Sequence, residues 1–191
     1  ATSCSSAVIQ SGEQLLLNTN TAIMNAGGMY VGSILIFQSG DNTTGSELWR
    51  SDGTAAGTYL LKDIYPGKMS SNVTGPAVHN GVLYFGADDG TTGTELWRSD
   101  GTVAGTYQVK DIWPGVSSGY PDFMKSMGGL LYFSANDGVN GAELWRSDGT
   151  TAGTYLVKDI YGGISSSWPA YLREVSGALY FSASTAAAGA E

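Results

Sequence analysis

Glu47-Leu48-Trp49-Arg50-Ser51-Asp52-Gly53-Thr54 returns unchanged as Glu95–Thr102 and again as Glu143–Thr150, each copy beginning 48 residues after the last. The match continues downstream: Ala56-Gly57-Thr58-Tyr59 recurs from Ala104 and Ala152, and Lys62-Asp63-Ile64 recurs from Lys110 and Lys158. Upstream it extends to a fourth copy, aligning Leu35, Leu83, Leu131 and Leu179, then Phe37, Phe85, Phe133 and Phe181. Self-similarity at a fixed period of this length marks a solenoid, a propeller or an array.

One unit parses into four short strands. The first is Thr74–His79, Asp122–Ser126 or Ala170–Val175, and the second is Val82–Ala87, Leu130–Ala135 or Ala178–Ala183. Glu-Leu-Trp-Arg forms the third, and Tyr59–Ile64, Tyr107–Ile112 or Tyr155–Ile160 the fourth. Asn80-Gly81, Asp89-Gly90, Asp100-Gly101 and Pro114-Gly115 punctuate the junctions with the turn chemistry that tight reversals need. Apolar spacing at 3.6 residues is absent, so no helix is predicted. Val82–Phe85 and Leu130–Phe133 are continuously apolar, as strands covered on both faces are. The expectation is an all-β fold built from propeller blades, with a flat solenoid as the competing form.

Four repeats of 48 span about the length of the 191-residue chain. The fourth stops at Glu191, before its third strand, while residues 1–24 carry two unrepeated apolar runs, Ala7-Val8-Ile9 and Leu15-Leu16-Leu17. A four-bladed propeller follows if those runs complete the last blade, leaving 1–24 as a closing segment and 25–191 as the repeat domain. The two strands can come from the chain's own N-terminus or from a neighbour's, the latter a head-to-tail contact that builds filaments. A piece of a longer array is the third alternative.

Composition narrows the function classes. Charged residues are 14% and the formal charge is −8, which argues against nucleic acid and anionic membranes as partners. No apolar run approaches the roughly 20 residues of a membrane span. Gly, Ser and Thr are abundant, in the manner of secreted all-β proteins, and Ala1-Thr2-Ser3 resembles the residues left by signal-peptide removal. Cys4 is the single cysteine, so an internal disulfide is excluded; a free thiol, an intermolecular disulfide and a lipid-modified terminus remain.

The repeated motif resembles the bacterial proteins with tandem Glu-Leu-Trp-x-x-Asp-Gly-Thr-x-x-Gly-Thr repeats, here Glu143–Thr154 followed by Leu156–Ile160. The likeness covers residues from about 30 to 191 and implies an extracellular or surface-attached propeller-like protein. It carries no catalytic residues with it.

Candidate sites are few. Asp52-Gly53-Thr54 and its copies read as turns. Asp41, Asp88, Asp89 and Asp137 cluster oxygens, and calcium is the one cofactor such loops suggest. Their spacing fits no known calcium loop, so solvated hairpin turns are expected and no cofactor is assigned. Arg50, Arg98, Arg146 and the Lys62 series face Glu47, Glu95 and Glu143 on neighbouring strands, predicting cross-strand ion pairs. Trp49, Trp97 and Trp145 are expected between blades. Tyr65, Trp113 and Tyr161 end the fourth strand, and Tyr120 and Trp168 precede prolines in Ser-rich loops; these five are the ligand candidates, either lids over blade ends or sugar-stacking rings. His79 has no counterpart at Met127 or Val175, and no nucleophile–base arrangement can be assembled around it. A non-enzymatic structural or adhesive surface module is expected, partnered by itself or by surface glycans, with a multivalent lectin as the alternative.

Overall fold

The computed structural model describes residues 28–186 and 189–190, and these form strands, turns and loops without a helix. The first repeat folds into β1 (Met29–Val31), β2 (Ile34–Asp41), β3 (Gly45–Ser51) and β4 (Tyr59–Lys62). The second gives β5 (Thr74–His79), β6 (Val82–Asp88), β7 (Thr94–Ser99) and β8 (Tyr107–Lys110). The third gives β9 (Asp122–Met127), β10 (Leu130–Asn136), β11 (Ala142–Ser147) and β12 (Tyr155–Lys158). Each of these sets is one antiparallel sheet in sequential order. The fourth repeat contributes β13 (Ala170–Val175) and β14 (Ala178–Ser182) as a two-stranded sheet, followed by the short pair β15 (Ser184–Thr185) and β16 (Gly189–Ala190).

The outer strand of each sheet ends at Lys62, Lys110 or Lys158, two residues before the apolar pattern does. The amide of the following Ile64, Ile112 or Ile160 leaves the ladder and donates to a glutamate carboxylate instead. Backbone donors must be satisfied somewhere, and here a side chain takes over from the strand.

Sheets pack face to face. Ile36, Leu48, Leu61 and Ile64 of the first enclose Leu83, Phe85, Ala87 and Trp97 of the second. Leu96, Val109 and Ile112 of the second enclose Leu131, Phe133, Ala135 and Trp145 of the third. Trp97 and Trp145 thus lie between sheets, as the sequence predicts. Burying one such side chain contributes about 1.5–3 kcal/mol, and the repeat renews that contribution at every interface. From Leu83 to Ala87 every residue of β6 is buried, which explains why this strand does not alternate.

The first strands pack side by side, β1 on β5, β5 on β9 and β9 on β13, and so form the inner edge. This is a propeller-like arrangement. Among the described residues β13 does not return to pack on β1 in the same way, so the sheets form an open arc. Ala7–Ile9, Leu15–Leu17 and Glu191, which the sequence reading assigns to closure, lie outside the described residues.

Antiparallel order fixes two faces. The upper face collects the β6–β7 and β10–β11 hairpins, the loops leaving β4, β8 and β12, and the starts of the inner strands. The lower face carries the Asp-Gly-Thr turns. There Asp52 accepts from the Thr54 amide at 2.9 Å and hydroxyl at 2.7 Å, and Asp100 and Asp148 repeat the pattern. These bonds, led by the threonine hydroxyl, hold all three carboxyls below the ordinary aspartate range.

Candidate ligand-binding face

The upper face is built on three buried glutamates. Glu47, Glu95 and Glu143, the first residue of each repeated motif, are fully buried. Glu95 accepts from the amides of Ile112 and Gly119 at 2.6 Å each, and from Trp113 at 3.5 Å. Glu47 accepts from Ile64 and Ser71 at 2.8 Å, and Glu143 from Ile160 at 2.9 Å and Ser167 at 2.8 Å. The Ser167 hydroxyl adds a bond of 2.6 Å. Each carboxylate therefore clamps both ends of the loop that runs from an outer strand to the next inner strand.

This corrects the expectation of cross-strand ion pairs. Charge-assisted bonds to several loop amides satisfy a buried carboxylate better than one exposed lysine would. The arginines go elsewhere: Arg50, Arg98 and Arg146 lie over the rings of Tyr59, Tyr107 and Tyr155 at 5.2, 5.2 and 4.7 Å. Arg50 also donates to the Gly101 carbonyl of the next sheet at 3.0 Å. Burial pushes Glu95 up to about 7 against the lowering effect of its amide donors, and raises Glu47 in the same direction.

The clamped loops carry the aromatic candidates, and all five reach the upper face in two different states. Tyr65 and Trp113 are half-buried and seat on the next sheet's hairpin: a Cβ on Gly90 would stand 2.6 Å from the Tyr65 ring, and one on Gly138 would meet Trp113. These two are lids, and Tyr161, in the equivalent position, is also half-buried. Tyr65 also borders a shallow cleft of about 140 Å³ with Asp88, Gly90, Thr91 and Ser118. Tyr120 and Trp168 are open, each 67% exposed.

Two further rings, which sequence reasoning passes over, join them. Phe123 and Tyr171 are 48% and 76% exposed at the bulges that begin β9 and β13. Tyr120, Phe123, Trp168 and Tyr171 all have φ between 47° and 55°. Such angles are unusual for bulky side chains and cost about 1–3 kcal/mol each. The equivalent positions at the entry to the second sheet hold Asn72 and Gly75, also left-handed, which adopt that geometry readily. A Cβ on Gly75 would stand 2.7 Å from the carboxylate of Asp122, whose counterpart one repeat on is the smaller Ala170. Aligning the second, third and fourth repeats by column exposes the signal: Gly, Phe, Tyr is no core column.

The calcium candidates serve the hairpins. Asp89 accepts from the amides and hydroxyls of Thr91 and Thr92 at 2.8–3.1 Å. Asp137 binds the Val139 and Asn140 amides, and Asp88 binds the Gly90 amide. Burial works to raise Asp89 and Asp137, but these donors outweigh it and keep both below the usual carboxylate range. The side chain of Asp41 lies outside the described residues. Among those described, no three His, Cys, Asp or Glu gather as a metal site would require.

The structure does bring a serine to His79. Its Nδ1 lies 2.8 Å from Ser126 Oγ on β9, and its Nε2 lies 3.1 Å from Asn80 Nδ2. His79 is buried, and its contacts tie β5 to β9.

No family model and no curated protein matches the chain. Solved structures do. The puromycin hydrolase S511A mutant complexed with PGG shares 18% identity, covering 83% of this chain and 26% of that one, with a TM-score of 0.50. The computationally designed Ika8 protein shares 16% identity over 86% of this chain and 44% of its own, with a TM-score of 0.43. The designed Ika4 protein shares 16% over 87% and 88%, with a TM-score of 0.45. This chain thus spans about a quarter of the hydrolase and less than half of Ika8. At 18% identity the hydrolase match bears on the fold, in keeping with a propeller-like arrangement. No described helix is long and apolar enough to cross a membrane.

Proposed function

We propose that this chain is a non-enzymatic, extracellular adhesive module of the tandem Glu-Leu-Trp repeat type, holding a partner on its upper face. One observation carries the reading. Tyr120, Phe123, Trp168 and Tyr171 expose their rings from a strained backbone where the entry to the second sheet manages with Asn72 and Gly75. The fold needs the left-handed angle at these positions but has no use for a ring, and exposed aromatic clusters mark recognition surfaces.

Immobilised neutral polysaccharides and immobilised peptides provide the test. Wild type is expected to be retained on at least one, and the Tyr120→Asn/Trp168→Asn double variant, which places at both positions the residue that Asn72 supplies one repeat earlier, on none. Unfolding midpoints of the variant should match or exceed wild type, because asparagine relieves the strain. Equal retention of both proteins would contradict the reading. Retention on neutral polysaccharide alone would make the module a lectin.

A second reading concerns assembly, and the fourth sheet supports it. Its β14 lacks a third strand among the described residues, and Tyr180 is 60% exposed whereas its counterpart Tyr84 is buried against the next sheet. We propose a four-bladed ring whose last sheet is completed by Ala7–Ile9 and Leu15–Leu17, from the same chain or from a neighbour in a filament. Electron microscopy and light scattering on a chain lacking residues 1–24 decide it. Neighbour exchange predicts polymers that vanish on deletion, and self-closure predicts a monomer that loses stability. A chain unchanged in both mass and stability would contradict either form.

A further inference from the structure

The chemistry of the partner follows from what surrounds the four rings, on the reading that the upper face is a binding surface. The loops and hairpins there carry Asp88, Asp89, Asp111, Asp122, Asp137 and Asp159, against Lys68 and the Lys62, Lys110 and Lys158 that end the outer strands. On the lower face, by contrast, each of Asp52, Asp100 and Asp148 feels a nearby arginine. Among the described residues acidic side chains therefore outnumber basic ones on the side that shows the rings, in a chain of formal charge −8.

Asp122 is exposed and stands between two of them, in Tyr120-Pro121-Asp122-Phe123. Asp89 and Asp137 accept several hydrogen bonds that favour the ionised form, so the field persists well into acid. An aromatic face attracts a cation through its quadrupole, and a surrounding negative potential raises the local cation concentration. The protein already uses this pairing internally, where each Arg of the repeated motif lies over a tyrosine ring. A neutral sugar would gain from the rings and nothing from the charge. An anionic partner would be repelled.

We propose that the upper face binds a cationic segment of a partner protein, an extended peptide bearing arginine or lysine. Its charged groups stack on Tyr120, Phe123, Trp168 and Tyr171 while the surrounding aspartates neutralise them. Arginine is favoured over lysine because its planar, weakly hydrated guanidinium stacks on rings.

Calorimetric titration and the fluorescence of exposed Trp168 test this with four probes: an Arg-Gly repeat peptide, its Lys-Gly analogue, its citrulline-Gly analogue and cellohexaose. The arginine peptide is expected to bind at least tenfold more tightly than the citrulline peptide, which keeps the shape and loses the charge. Its affinity should fall at least tenfold in Tyr120→Asn/Trp168→Asn, whose net charge is unchanged, and severalfold in Asp122→Asn. Equal binding of the arginine peptide to wild type and to the aromatic variant would reduce the effect to bulk charge and overturn the proposal. Binding of cellohexaose without the arginine peptide would also overturn it while leaving the binding face intact. Silence from all four probes would overturn the proposal; retention of wild type but not the double variant on another matrix would still leave the face standing.

Discussion

Glu95→Ala is expected to destabilise the chain by about 3–5 kcal/mol, the range for leaving several buried donors without their charged acceptor. The Ile112 and Gly119 amides, at the two ends of the loop between β8 and β9, lose bonds of 2.6 Å. Glu95→Gln should cost less, about 2 kcal/mol, because one carboxamide oxygen still accepts while its NH2 faces an amide donor. Urea midpoints at unchanged m-value provide the readout. The same residue has a pH signature. Its folded carboxyl titrates near 7, above the ordinary 4.5, so the folded state binds this proton more tightly than the unfolded chain does. Its contribution is fully present below about 4.5 and is lost as the pH rises through about 7. Glu95→Gln should remove that slope.

Gly93→Ala is the second large effect, about 3 kcal/mol. Gly93 has φ of 72°, and a Cβ there would stand 2.6 Å from the Ser117 carbonyl oxygen and 2.7 Å from Ser118 Oγ. The left-handed angle accounts for about 1–2 kcal/mol and the overlap for the remainder. The loop cannot retreat easily, because the Thr94 amide donates to Ser118 Oγ at 2.9 Å and Tyr120 donates to the Thr94 carbonyl at 3.1 Å. Gly81→Ala separates the two contributions: its φ is 73° with no atom within 4 Å, so only the backbone cost of about 1–2 kcal/mol should remain. Equal midpoints for the two variants would mean that the Ser117–Ser118 loop yields freely.

Much of the fold is written locally. Strand positions, hairpin turns and the burial of Trp97 and Trp145 follow from apolar runs and turn residues only a few positions apart. The role of the glutamates is not local. Glu95 meets amides at positions 112, 113 and 119, and a carboxylate that serves backbone amides leaves no partner side chain to recognise. Charge complementarity pointed instead to Lys110, which pairs with Leu96 in the ladder, and to Arg98, which lies over the Tyr107 ring. Of the candidate site, Tyr120 and Trp168 were legible as aromatics beside prolines. Phe123 and Tyr171 were hidden because they open strands, where an apolar residue ordinarily reads as core. Only the bulge, with its positive φ, turns them outward.

The claim beneath the whole account is that each motif's glutamate clamps the loop that presents the rings. Amide hydrogen exchange on wild type and Glu95→Ala measures it residue by residue. The account predicts that Ile112 and Gly119 lose about a hundredfold in protection, roughly 3 kcal/mol, while the β6–β7 ladder stays protected. Unchanged protection at those two amides, in a variant that remains folded, would contradict it.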